Sequence, residues 1–122
     1  ILVVEDNPVA SRALTAVLEQ YGSRVRVRVA ADAAEALLQL GESAPGLLLT
    51  DLVMEPFDGF HLLRVLARSE RLARVPALVV TEMPEPEIAA RGGLPPGVTV
   101  LRKPVPPERL MGFVDAVLAL RP

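Results

Sequence analysis

The chain has 122 residues, 51% of them hydrophobic, with a formal charge of −2 and a pI near 5.4. That length suits one domain with its own core, and the charge balance lacks the basic field with which nucleic-acid binders neutralise phosphates. No apolar run approaches the ~20 residues of a membrane span, and the lack of cysteine and of a signal peptide favours a reducing cytoplasm.

The first segment, Ile1-Leu2-Val3-Val4, is a continuous apolar run that breaks into Glu5-Asp6-Asn7-Pro8, a buried strand entering a polar turn. Asn7 suits a helix N-cap and Pro8 the first helical position, with Leu14, Val17, Leu18 and Tyr21 as the apolar stripe and Gly22 as the stop. Arg24 to Val29 alternates basic and apolar residues, which predicts an edge strand with one wet face. Asp32-Ala33-Ala34-Glu35 resembles a capping box, opening a second helix that buries Ala33, Leu37 and Leu40 and ends near Gly41.

Leu47 to Thr50 predicts another buried strand, ending at Asp51, and Asp58 can cap a third helix with Leu62, Leu63 and Leu66 inside. Phe57 reads as an apolar plug under the loop, and the single histidine, His61, as a surface or half-buried residue without a partner motif. Ala77 to Val80 is a further buried strand ending at Thr81. The prolines and glycines between Glu82 and Gly97 then allow at most a short helix, around Glu85 to Arg91. Val98 to Leu101 supplies the fifth strand, and a closing helix begins near Pro106 or Pro107 with Leu110, Phe113, Val114 and Val117 inward. Five β-α units in alternation predict an α/β fold, a doubly wound, five-stranded parallel sheet with helices on both faces.

In such a sheet ligands bind beyond the carboxyl ends of the strands. Those ends carry Glu5 and Asp6 after the first strand, Asp51 after the third, Thr81 after the fourth and Lys103 after the fifth. Lys103 is the only lysine among thirteen basic residues, a compact point charge where arginine serves everywhere else. Three converging carboxylates call for a cation, and oxygen ligands without His or Cys point to a hard ion such as Mg²⁺. An added ammonium and hydroxyl make sense only if an anion also visits, and phosphate fits. A carboxylate can attack phosphorus while metal and ammonium neutralise the equatorial oxygens, and Asp51, alone at the end of a central buried strand, is the best nucleophile.

The pieces Val3-Val4-Glu5-Asp6-Asn7, Asp51-Leu52-Val53-Met54 leading to Asp58-Gly59, Val79-Val80-Thr81 and Lys103-Pro104 stand in order along the chain. In these pieces the chain resembles the receiver domain of response regulators, over essentially all of residues 1–122. The resemblance implies the flavodoxin-like (βα)₅ fold with strand order 2-1-3-4-5. It further implies Mg²⁺-dependent transfer of a phosphoryl group to Asp51 from a sensor histidine kinase or a phosphotransfer protein, followed by a conformational change read by an output domain or another effector. Asp6, Asp51 and the carbonyl of Val53 would hold the metal, with Glu5 helping directly or through water. Lys103 and Thr81 would contact the phosphoryl group, and the Lys103–Pro104 bond would be cis. Such a domain is a switch that catalyses its own phosphorylation and dephosphorylation, without membrane or direct nucleic-acid contact. A homodimer is left open.

Several positions depart from the family pattern. The family's aromatic switch position is Val100, the small residue expected after Thr81 is Glu82, and Pro56 follows Glu55 one place later than usual. The proline-rich stretch 84–97 alters the face by which relatives dimerise. Val53 and Met83 occupy the two positions that tune phosphoryl lifetime, and neither can orient an attacking water, which implies slow loss of phosphate. The alternative is a phosphorylation-independent pseudo-receiver, a protein interaction module. A flavin-binding carrier is disfavoured because Glu5-Asp6 would repel its phosphate, and an aspartyl phosphatase because Val53 replaces that class's second aspartate.

Overall fold

The computed structural model describes residues 1–54 and 57–120. The elements run β1 (Leu2–Val4), α1 (Pro8–Glu19), β2 (Arg28–Ala30), α2 (Ala33–Glu42), β3 (Leu48–Thr50), α3 (Gly59–Arg68), β4 (Ala77–Thr81), α4 (Glu85–Ala90), β5 (Thr99–Arg102) and α5 (Pro107–Leu120). All strand pairs are parallel, in the order β2-β1-β3-β4-β5. This is the doubly wound (βα)₅ architecture expected from the alternation of elements.

Because successive strand residues point to opposite faces, each apolar run feeds two cores. Leu2, Val4, Leu48 and Val79 face α2, α3 and α4, where Ala36, Leu40, Phe60, Leu63 and Ile88 meet them. Val3, Leu49, Leu78, Val80 and Leu101 face α1 and α5, against Leu14, Leu18, Leu110 and Val114. The central strands β1, β3 and β4 are buried on both faces, which is why they read as unbroken hydrophobic runs. A fully buried Leu or Val contributes roughly 1.5–3 kcal/mol relative to an exposed one, so these runs and the helix residues that cover them together supply the driving force.

Helix starts follow the capping residues. Asn7 Oδ1 accepts from the amides of Val9 and Ala10 at 2.9 and 3.1 Å, Asp32 Oδ1 from that of Glu35 at 2.8 Å, and Asp58 Oδ1 from that of His61 at 3.0 Å. The Glu35 carboxylate reaches back to the amide of Ala31 at 3.1 Å, one residue earlier than in a strict capping box. α1 and α5 are tied together by Tyr21, whose hydroxyl donates to Asp115 Oδ1 at 2.7 Å and lies 2.9 Å from the Met111 carbonyl. Burial first, and then the Asp115 carboxylate, push the Tyr21 phenol up to about 12, so it remains a donor at neutral pH.

The second strand is shorter than its alternation predicts. Gly22–Arg24 forms a 3₁₀ turn and only Arg28–Ala30 pairs, in register with Leu2–Val4. Val25 and Val27 still pack against the α1/α5 core, so the alternation there reports burial, whereas the ladder is limited to the three residues that β1 offers. Arg24 lies over the Tyr21 ring, 5.7 Å from its centroid.

Candidate functional site

β1 and β3 are neighbours at the middle of the sheet, and the chain leaves β1 toward one face and β3 toward the other. The crevice at their carboxyl ends is a cavity of about 470 Å³ lined by Glu5, Asp6, Asn7, Asp51, Val53, Thr81, Glu82, Met83, Glu87 and Lys103. Every polar side chain that the sequence singles out for the site reaches this one cavity. Val100 instead packs, partly buried, on the core beneath α4.

Lys103 organises the acids. Its Nζ donates to Glu5 Oε1 at 2.6 Å and to Asp51 Oδ2 at 2.9 Å. The Glu5 side chain is almost fully buried, and its second oxygen accepts from the Asn7 amide at 3.2 Å. Burial pushes the Glu5 carboxyl above its ordinary 4.5, against the lowering effect of Lys103 and the Asn7 amide, and the nearby charge of Asp51 adds to the rise. Burial alone would lower the Lys103 pKa, but its bonds to Asp51 and Glu5 outweigh that and hold it above 10.5. The ammonium is therefore fixed and charged at neutral pH.

Asp51 follows β3 directly, and its Oδ1 accepts from the amide of Leu52 at 2.6 Å. Oδ2 thus faces the lysine while Oδ1 is aligned by backbone. Thr81, the last residue of β4, is buried, and its Oγ1 accepts from the amide of Met83 at 3.1 Å. The Lys103–Pro104 peptide bond is cis.

Among the described residues, no three Asp, Glu or His side chains gather into a ready-made metal cage. Lys103 and a backbone amide engage the oxygens of both Glu5 and Asp51, but the Glu5 side chain is only 2% exposed against 12% for Asp51, and Asp6 is exposed at the cavity wall, so Asp6 and Asp51 are the carboxylates nearest to open space. That donor set still fits Mg²⁺, which is commonly held by one or two carboxylates and completes its shell with water. The expectation about Glu55 and Pro56 lies outside the described residues.

Arg102 and Glu87 were missed, and Gly59 was named in the motif without its steric role. Arg102 donates to the carbonyl of Met83, Glu87 adds a carboxylate to the cavity wall, and Gly59 lets α3 approach Asp51. Arg102 could have been flagged as an arginine at a strand end beside Lys103. Glu87 could not, because a short helix around Glu85 to Arg91 can be read from the residues but not which of its side chains turns toward the cavity.

Comparison with known proteins agrees with this geometry. Residues 1–115 match the family model for the response regulator receiver domain, and the chain belongs to that family. It is 30% identical to protein PilH of Pseudomonas aeruginosa, covering 98% of this chain and 97% of PilH. It is 31% identical to the DNA-binding dual master transcriptional regulator RpaA of Synechocystis, covering 97% of this chain but 48% of RpaA. The chain thus spans nearly all of the first relative and about half or less of larger ones, down to 12% of the gliding motility regulatory protein of Myxococcus xanthus. Among solved structures it superposes on the receiver domain of a histidine kinase from Syntrophus aciditrophicus with a TM-score of 0.84 at 26% identity, over 97% and 88% of the two chains. A response regulator receiver protein from Pseudomonas putida gives 0.78 at 34% identity, over 94% and 93%.

Receiver domains are phosphoacceptor switches of two-component systems and take Mg²⁺ at the phosphorylation site. No helix among the described residues is long and apolar enough to cross a membrane.

Proposed function

We propose that this chain is a cytoplasmic receiver domain, residues 1–122, that accepts a phosphoryl group on Asp51 from a sensor histidine kinase or phosphotransfer protein and thereby controls an output domain or partner. The observation that carries this reading is the pair of hydrogen bonds that Lys103 donates to Glu5 and Asp51 in a cavity that Thr81 also lines. An Asp51 oxygen bonds to phosphorus as the bond from phosphorus to the donor's imidazole nitrogen breaks. The electron pair stays on that nitrogen, which then takes up a proton. Lys103, fixed and charged, neutralises the phosphoryl oxygens, and Thr81 offers its hydroxyl to one of them. Asp6, Asp51 and the Val53 carbonyl would hold Mg²⁺, with Glu5 helping directly or through water. When bound, the ion offsets negative charge building on the phosphoryl group.

The test is incubation with acetyl phosphate or phosphoramidate, with and without Mg²⁺, comparing the native chain and Asp51→Asn by intact mass. The expected outcome is a gain of one phosphate that requires Mg²⁺ and vanishes in the variant. No gain in a folded chain that binds Mg²⁺ would favour a second reading, the phosphorylation-independent interaction module. One observation supports that alternative: Glu82 adds a carboxylate to the cavity lining, whereas Glu87 is paired with Arg91 at 2.9 Å, and the added charge disfavours an anionic donor.

A further inference from the structure

Met83 is held from two sides. Its amide donates to Thr81 Oγ1 at 3.1 Å, and its carbonyl accepts a bond from Arg102 Nη1. Arg102 ends β5 and is the cross-strand partner of Thr81, so its guanidinium reaches along the sheet edge to a carbonyl two residues past the threonine. The neighbouring Lys103 amide bonds the Thr81 carbonyl at 3.1 Å. The Met83 side chain is buried in the same core as Ile88 of α4, so this residue joins β4 to α4 both covalently and through packing.

We propose that Arg102 is a positioning residue, a latch that keeps the β4–α4 loop in its resting arrangement and sets how readily Thr81 leaves it. The inference rests on the phosphoacceptor reading above. For the Thr81 hydroxyl to turn toward an anion on Asp51, Oγ1 must rotate away from the Met83 amide. A buried N–H left without an acceptor is costly, so the loop has to move with it. The Arg102 bond opposes that movement and, being charge-assisted, is roughly twice as strong as a neutral one. Val100 lies on the same face of β5 two residues earlier and brings no polar group, so among the described side chains of β5 the link to this loop passes through Arg102. An anion that draws Thr81 inward competes with the latch, and weakening the latch shifts the population toward the liganded arrangement.

The experiment compares the native chain with Arg102→Met, which keeps an apolar stem and removes the donor. Hydrogen exchange of the Met83 amide is followed without ligand, and beryllofluoride is titrated in the presence of Mg²⁺. The expected result is faster exchange at Met83 together with about three- to tenfold tighter beryllofluoride binding. Loss of a merely structural contact would weaken binding or leave it unchanged, so tightening is specific to a latch. Unchanged exchange, or faster exchange with equal or weaker binding, overturns the proposal. If the folded native chain itself binds no beryllofluoride, the phosphoacceptor reading fails and takes the latch with it. That outcome is recognisable because native chain and variant fail alike.

Discussion

Glu5 has a cation and an amide as partners, yet burial dominates, and its pKa stands above the ordinary 4.5. A carboxyl raised in this way contributes its full stability below the unfolded value and loses it as pH climbs through the folded one. Lys103 acts in the opposite range: with a pKa above 10.5, its contribution is complete below that value and fades only as pH passes the raised one. Glu5→Gln is therefore expected to gain stability relative to the native chain as pH rises from about 4.5 to 7, where Lys103 stays charged throughout. Urea unfolding of both proteins at the two pH values checks this, and a difference independent of pH would contradict it. The residue types at this site were legible because their chemistry makes sense only together. Their division of labour was not, since a turn sequence does not say that Lys103 and a backbone amide will occupy both oxygens of Glu5.

α3 enters directly over the site, and its first residue sets the distance. A Cβ on Gly59 would lie 2.2 Å from the Asp51 carbonyl oxygen and 2.9 Å from the Leu52 Cα, both backbone atoms that cannot swing aside. The Gly59 amide meanwhile donates to the Leu52 carbonyl at 2.9 Å, so helix and loop are already in contact. Gly59→Ala is expected to cost about 2–3 kcal/mol through overpacking and to lower phosphoryl uptake at Asp51 roughly tenfold by displacing the acceptor. Gly112→Ala is the control: nothing lies within 4 Å of a Cβ there, and a glycine replaced inside α5 gains helix propensity. Unfolding midpoints and mass-detected phosphorylation of the two variants separate the effects. At this scale helix starts were legible from Asn7, Asp32 and Asp58, because caps are local chemistry. The extent of β2 was not, because a strand is only as long as its partner, and that partner is distant in sequence.

Across the whole molecule, switching requires the acceptor, the hydroxyl and the effector face to respond together, for as long as the phosphate stays. Val53 is 60% exposed beside Asp51, while Met83 is buried; neither side chain carries a group able to orient a water for attack. Isolated phosphorylated chain is expected to hold its label for many minutes or longer, and loss within seconds, followed by mass after removal of the donor, would show that another group positions the water. The doubly wound parallel sheet was legible because five alternating units leave few ways to cover both of its faces, and its strand order followed from the resemblance to receiver domains. The link between Arg102 and Met83 was not, since it depends on the register that sets Thr81 opposite Arg102. That sheet order also bears on how the chain is made. Once β1, β2 and β3 have left the ribosome, the middle of the sheet can close, and β4 and then β5 each add to an edge already in place. After β1, which waits for β2, every emerging strand finds a partner that has already been made.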